Sequence, residues 1–308
     1  MTQVWAGDRY PPRMRVGIAL PIGERGPERR AASYKQMREM AVAAEAGGAD
    51  SIWVADHLFY RFDEAGTRGL WEAMTILAAL ADATTRVELG PLVMCVPFRN
   101  PGLIAWIANT IDEVSGGRFV VGLGSGWSED EFRAFDFQFD RRVSVFEESL
   151  QVIVPLLRNG EVSFDGQFVK GVGELRPPGP RAGKGGPPIL IAGTKPRMVS
   201  LVAKHADRWN SVWYGLPTDE FRAERRNLEQ ACAAIGRDPR EIEVSAGLQV
   251  SEEGGPANDL EFLYGSADQI ADGLGKWRDE GVTEVMCRME PPSVGLVQRI
   301  TEAAKRVR

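Results

Sequence analysis

An eightfold alternation of strand-length apolar runs with helix-period segments constrains this chain more than any other feature. The runs are Met14–Leu20, Ser51–Asp56, Val87–Met94, the stretch through Val120 and Val121, Pro188–Ala192, Ala206–Trp213, Ile242–Val250 and Glu284–Met289. A helical segment follows each of them, with recognisable ends. Ser33 opens the first and Gly47-Gly48 stops it; Asn100 and Pro101 open the third; Ser266, with Gln269 three residues on, opens the seventh. Strands joined through helices pair in parallel. Eight such units close most economically as an α/β (β/α)8 TIM barrel, which takes about 250 residues. The chain has 308. Its surplus lies in 21–32 and in about 160–187, a hairpin/loop insertion after helix four in which Val162–Val169 turns about Asp165-Gly166. No linker is visible, so 1–308 reads as a single domain; an open doubly wound sheet in two domains is the alternative.

Charge and composition exclude several functions. The net charge is −6 with scattered basic residues, which argues against nucleic acid. No run approaches the roughly 18 apolar residues of a membrane span. The first fifteen residues carry Asp, Arg and Pro without an apolar core, unlike a signal peptide, so a cytoplasmic protein is expected. Cys95, Cys232 and Cys287 lack metal-like spacing and read as reduced core thiols. Two histidines, His57 and His205, cannot build a histidine-rich zinc site, and no metal is expected.

In such a barrel the site lies at the carboxyl ends of the strands. Asp56-His57, after strand two, is the best proton-handling pair, because a histidine titrates near neutrality and a neighbouring carboxylate can orient it or bond elsewhere. Gly193-Thr194-Lys195-Pro196 brings a glycine into a helix N-terminus, which suits either a phosphate or an ordinary cap. In strand four, Gly122, Gly124 and Gly126 leave backbone bare before Trp127. That serves a flat ligand or a strand bending at a crowded barrel corner equally well. Gly122-x-Gly124-x-Gly126 fails the dinucleotide pattern, whose third glycine would fall on Trp127. Ser128-Glu129-Asp130-Glu131 reads as a capping box, and Trp53, Trp106 and Trp277 read as packing residues.

The segment Ser115–Trp127 (SGGRFVVGLGSGW), with Glu131 following, resembles the bacterial luciferase-like monooxygenase superfamily, most closely its coenzyme F420-dependent actinobacterial branch. Ala55-Asp56-His57, Leu89–Val93 with Arg99-Asn100-Pro101, Pro187–Gly193 and Ala206–Asn210 agree, in the same order. The resemblance implies a barrel binding coenzyme F420, with FMN as the alternative, at its carboxyl ends. It implies a bulge after strand three with a non-proline cis bond at Leu92-Val93. His57 and Asp56 would be catalytic. Asp56, Leu92, Val93, Met94, Gly124, Ser125, Trp127, Ala192, Gly193, Thr194 and Asn210 would hold the cofactor. FMN-using members often carry an Arg where Ser125 stands, which favours the deazaflavin. The implied reaction is hydride transfer between F420 and a small organic substrate. With FMN it would be monooxygenation using O2 and reduced flavin from a partner reductase; a non-catalytic flavin-binding barrel is the reading from another class. A homodimer is also implied. Substrate would meet Tyr60, Phe62, Trp213, Tyr214 and the 160–187 loop.

Overall fold

The computed structural model describes residues 13–26, 28–62, 66–252 and 262–307. Its strands are β1 (Arg15–Ala19), β2 (Ser51–Val54), β3 (Phe59–Phe62), β4 (Gly66–Gly69), β5 (Glu88–Pro91), β6 (Met94–Cys95), β7 (Val121–Gly124), β8 (Glu161–Asp165), β9 (Lys170–Glu174), β10 (Ile189–Ala192), β11 (Arg208–Tyr214), β12 (Glu243–Ser251), β13 (Leu263–Tyr264) and β14 (Glu284–Glu290). Its helices are α1 (Tyr34–Gly47), α2 (Ala73–Ala83), α3 (Pro101–Ser115), α4 (Glu129–Ala134), α5 (Arg142–Asn159), α6 (Pro196–His205), α7 (Asp219–Ala234), α8 (Ala267–Asp279) and α9 (Val294–Val307).

The parallel order β5-β2-β1-β14-β12-β11-β10-β7-β6 runs round the barrel. β5 and β6 are two halves of one strand interrupted at Leu92-Val93, so β6 on β7 and the Leu89–Phe119 bridge bring the sheet back on itself. This is the TIM barrel expected from the alternation. The expected ends also form: Asn100 caps α3, and Ser266 with Gln269 makes a reciprocal capping box on α8.

Each barrel strand alternates its side chains between the interior and the helical shell. On β14, Val285, Cys287 and Met289 join the outer core, and on β12 so do Val244, Ala246, Leu248 and Val250. Their neighbours point inward and stack in layers. The lowest layer is charged. Arg208 makes a bidentate pair with Glu88 (both 2.8 Å) and lies 3.0 Å from Glu243, while Arg15 reaches Glu243 (2.5 Å) and the buried Glu284 (3.3 Å). Burial pushes the Glu284 carboxyl up and the two arginines pull it down; burial wins. Above lies a separate apolar cluster of Trp53, Val120, Leu190 and Met286, with Leu92 and Val93 packed onto it. The barrel is therefore plugged below its mouth.

Strand-four glycines serve that packing. A Cβ on Gly122 would lie 2.0 Å from the Pro91 carbonyl oxygen, and one on Gly124 would lie 2.5 Å from Val93 Cγ2. Gly122 and Gly124 thus serve a crowded corner, where the bare backbone admits the bulge of the preceding strand. Gly122→Ala is expected to lose about 1–3 kcal/mol or more through overpacking against backbone that cannot rotate away. A lowered urea midpoint would show it, and a wild-type midpoint would refute this packing role.

Three local expectations are corrected. In the stretch His57–Gly69, whose sequence reads as a loop, Phe59–Phe62 and Gly66–Gly69 instead pair as the antiparallel strands β3 and β4. Ser128 makes no side-chain cap on α4, so the expected capping box is absent. The 160–187 segment contains the hairpin β8–β9, but this lies along the outside of α5 with its tip held by Glu148, which accepts from the N–H groups of Gln167, Phe168 and Val169. Its return lines a cleft of about 200 Å³ with the C-terminal ends of α3 and α5, at the amino end of the barrel. It does not reach the mouth, so it is removed from the substrate contacts. No described helix is long and apolar enough to cross a membrane.

Candidate active site at the barrel mouth

His57 follows β2 and is the only histidine at the mouth. Its Nδ1 lies 2.7 Å from Glu131 Oε2, on the short helix α4. Glu131 is 1% exposed, and its other oxygen accepts from the Leu58 N–H at 2.6 Å and the Phe59 N–H at 3.4 Å. One carboxylate thus fixes the imidazole and the chain leading out of β2. Burial pushes the Glu131 carboxyl up, but the bonds from His57, Leu58 and Phe59 outweigh it and hold it below the usual carboxylate range. It is therefore ionised at neutral pH, and it favours a proton on Nδ1 and the other ring nitrogen towards the mouth. Tyr60 and Trp127 flank the ring, with centroids at 4.5 and 5.4 Å, and stack on each other. Burial raises the Tyr60 phenol to about 12, so it stays protonated.

Asp56 does not orient His57. Its carboxylate turns the other way and takes a fork from Arg99 (2.6 and 2.8 Å) and the Cys95 N–H (2.8 Å). Arg99 continues to Glu72 at 2.8 Å. Asp56 is 4% exposed, and these bonds tie the end of β2 to the far side of the strand-three bulge. The bulge contains the cis peptide Leu92-Val93, at the position the resemblance implies. Leu92 and Val93 are half-buried at the mouth; Met94 is fully buried behind them.

Of the remaining expected cofactor residues, Gly124 is buried against Val93, Ser125 is half-buried, and Trp127 is 66% exposed. β7 and β10 are neighbours, which brings Ser125 to the same side as Ala192, Gly193 and Thr194. The N-cap of α6 is Lys195 rather than Thr194, and no side chain caps it. Asn210 lies deeper, wholly buried in the barrel; its Nδ2 meets Ser245 Oγ (3.0 Å) and Met286 Sδ (3.5 Å), while its Oδ1 has no partner. Tyr214 faces away from the mouth, into Ser211, Glu224 and Phe221, which removes it from the substrate contacts. Trp213 does face the mouth, where Arg288 lies 5.7 Å over its ring. The Phe62 side chain lies outside the described residues. Glu131 is the residue that sequence reasoning missed.

A parallel barrel with a carboxylate-held histidine facing a bulged third strand defines a class of (β/α)8 proteins with the site at the carboxyl ends. Residues 14–254 match the family model of the luciferase-like monooxygenases, and the chain belongs to that family. It is 32% identical over 202 residues to an F420-dependent glucose-6-phosphate dehydrogenase of Amycolatopsis mediterranei, covering 63% of this chain and 55% of that protein. It is 28% identical over 243 residues to pyrimidine monooxygenase RutA of Methylorubrum extorquens, covering 73% of this chain and 62% of that protein. The matches thus span a little over half of these relatives' lengths. The structure of a coenzyme F420 dependent tetrahydromethanopterin reductase from Methanopyrus kandleri superposes with a TM-score of 0.78 at 18% identity, over 96% of this chain and 100% of that one, and so shares its fold.

Proposed function

We propose that the chain is an F420-dependent oxidoreductase that transfers hydride between the deazaflavin and a small organic substrate, with His57 as the proton-handling residue. The observation that carries this reading is the His57–Glu131 pair set over a mouth floored by Leu92 and Val93. Three features fit a flat ring system with a phosphorylated tail. The floor is apolar and half-buried; the α6 N-terminus beside Gly193 has no side-chain cap; and Asn210 Oδ1 is a buried acceptor without a partner. Leu92, Val93 and Met94 would back the rings, with Gly124, Ser125 and Trp127 along one side. Ala192, Gly193 and Thr194 would hold the phosphate, and Asn210 would lie beneath.

Bound there, the deazaflavin supplies a hydride acceptor or donor at its central ring carbon. The chain's own part is positional and protic. Asp56 and Arg99 hold the bulge. Glu131 holds His57 with one ring nitrogen free to give a proton to, or take one from, the substrate heteroatom as hydride moves. Trp127 and Tyr60 exclude water around that nitrogen. The homodimer, the cytoplasmic location and the single domain belong to this reading.

The second reading is an FMN-dependent monooxygenase fed by a partner reductase, favoured by the likeness to pyrimidine monooxygenase RutA. Turnover separates the two. Anaerobic consumption of reduced F420 with carbonyl, enone or imine acceptors is expected. Oxygen uptake with reduced FMN, and no anaerobic turnover with F420, would establish the second reading instead.

A further inference from the structure

We propose that Arg288 and Gln249, with Arg25 and Tyr60 at the rim, form an oxyanion subsite that selects substrates carrying a carboxylate or phosphate group. This rests on the hydride-transfer reading above and names the class of substrate it acts on.

The argument starts from the alternation along β14. Glu284, Met286 and Arg288 point inward at successive levels. At the bottom, the charge of Glu284 is met by Arg15 and Arg208. At the middle level Met286 is apolar. At the top, no carboxylate among the described residues lies within ion-pair distance of Arg288. Its described neighbours are the Trp213 ring, the like-charged Arg25 and the protonated Tyr60. Glu290, two residues further along β14, is already taken: it pairs with Arg25 at 2.6 Å, and Arg25 also donates to the Met289 carbonyl at 3.2 Å. The other partly buried arginines among the described residues end on acids or carbonyls, as Arg99 does on Asp56 and Arg118 on Ala81, Thr84 and Val87. A partly buried guanidinium without an anion is costly unless one arrives.

Gln249 stands beside Arg288 in register on β12 and also points inward. It is 4% exposed, and its amide has no described hydrogen-bond partner. An amide N–H₂ and a guanidinium presented from one level of neighbouring strands are a donor set for two oxygens of one anion. The guanidinium lies over the Trp213 ring at 5.7 Å, within cation–π distance. Trp213 is itself seated by Gly247, where a Cβ would lie 2.8 Å from its ring, and by the Ser211–Tyr214–Glu224 bonds that anchor the bulge of β11 on the outer side. Tyr60 joins this corner to the chemistry, since its ring touches His57. The expected phosphate cradle of the cofactor follows β10, which β11 and β12 separate from β14. The oxyanion corner therefore lies on the substrate side, within reach of a small molecule whose reacting carbon faces His57.

The test uses the full-length protein and follows tryptophan fluorescence while inorganic phosphate, and separately benzoate, are added at constant ionic strength, with and without saturating F420. Saturable binding of at least one anion, unaffected by the cofactor and weakened tenfold or more in Arg288→Gln and less in Arg288→Lys, is expected. The preferred probe tells phosphate-bearing from carboxylate-bearing substrates. Equal anion affinity in wild type and Arg288→Gln, or no saturation by either anion, would overturn the subsite. Competitive loss of the anion on adding F420 would also overturn it, assigning Arg288 to the cofactor instead. F420 binding, recorded in the same samples, reports separately on the cofactor reading and on the folding of each variant.

Discussion

Replacing His57 with Asn is expected to lower turnover by about 10²–10⁴-fold while leaving cofactor affinity within a few-fold of wild type. That is the range for removing a positioned general acid or base. The asparagine side chain would keep a hydrogen bond to Glu131 and the path of the chain, but it cannot carry a proton. Glu131→Gln is expected to lose less, because the ring stays in place while its tautomer is no longer held by a carboxylate. The pH dependence has a definite sign. The Glu131 carboxyl is held below its ordinary value in the folded chain. Its contribution to stability is therefore fully present above about pH 4.3, the unfolded value, and is lost as pH falls through the lower folded value. Glu131→Gln should remove that group's share of the acid limb and leave the rest of the profile unchanged. Steady-state kinetics with cofactor titrations on each variant measure the catalytic part, and urea midpoints against pH measure the other; wild-type turnover in His57→Asn would remove the histidine from the chemistry.

Arg99→Met is expected to destabilise the chain by about 3–5 kcal/mol, the usual result of stranding one partner of a buried ion pair. Arg99 forks onto Asp56, whose side chain is 3% exposed, and only the Cys95 N–H would remain to hold that carboxylate. The same change frees the far end of the strand-three bulge, so cofactor affinity should fall with it. Replacing both partners with apolar residues, Asp56→Leu with Arg99→Met, is expected to recover much of the stability and little of the binding, because an apolar pair fills the space but does not pin the Cys95 backbone. Urea unfolding of the two variants separates these effects. Equal midpoints for wild type and Arg99→Met would show that the pair does not hold the bulge.

The barrel was legible because period, caps and stops all report locally. A helix end such as Ser266-x-x-Gln269 is decided within four residues, and it forms as read. The site was legible only in part, because its decisive contacts are not local. Asp56 and His57 are adjacent in sequence, yet at the end of a strand they face opposite ways: one holds Arg99, the other meets Glu131. Glu131 is 74 positions from its partner and lies in a run of three acids that has the composition of a helix cap. The available signal was its place shortly after Gly124-Ser125-Gly126-Trp127, at a strand end facing the mouth. The glycines of strand four could not be resolved alone, since bare backbone looks the same whether a ligand or a neighbouring strand fills the space. At Gly122 it is the neighbouring strand, whose Pro91 carbonyl takes the space a side chain would need. Phe59–Phe62 was read as loop because its partner strand, Gly66–Gly69, is too polar and glycine-rich to look like one.

The most direct measurement is an equilibrium titration of the purified protein with oxidised F420 and, separately, with FMN, followed by fluorescence. Saturation by F420 at one molecule per chain is expected, at least tenfold tighter than FMN and weakened by Leu92→Asp, which puts a charge on the floor of the mouth. Tighter binding of FMN, or no saturation by F420, would contradict an F420-dependent site at the mouth of this barrel.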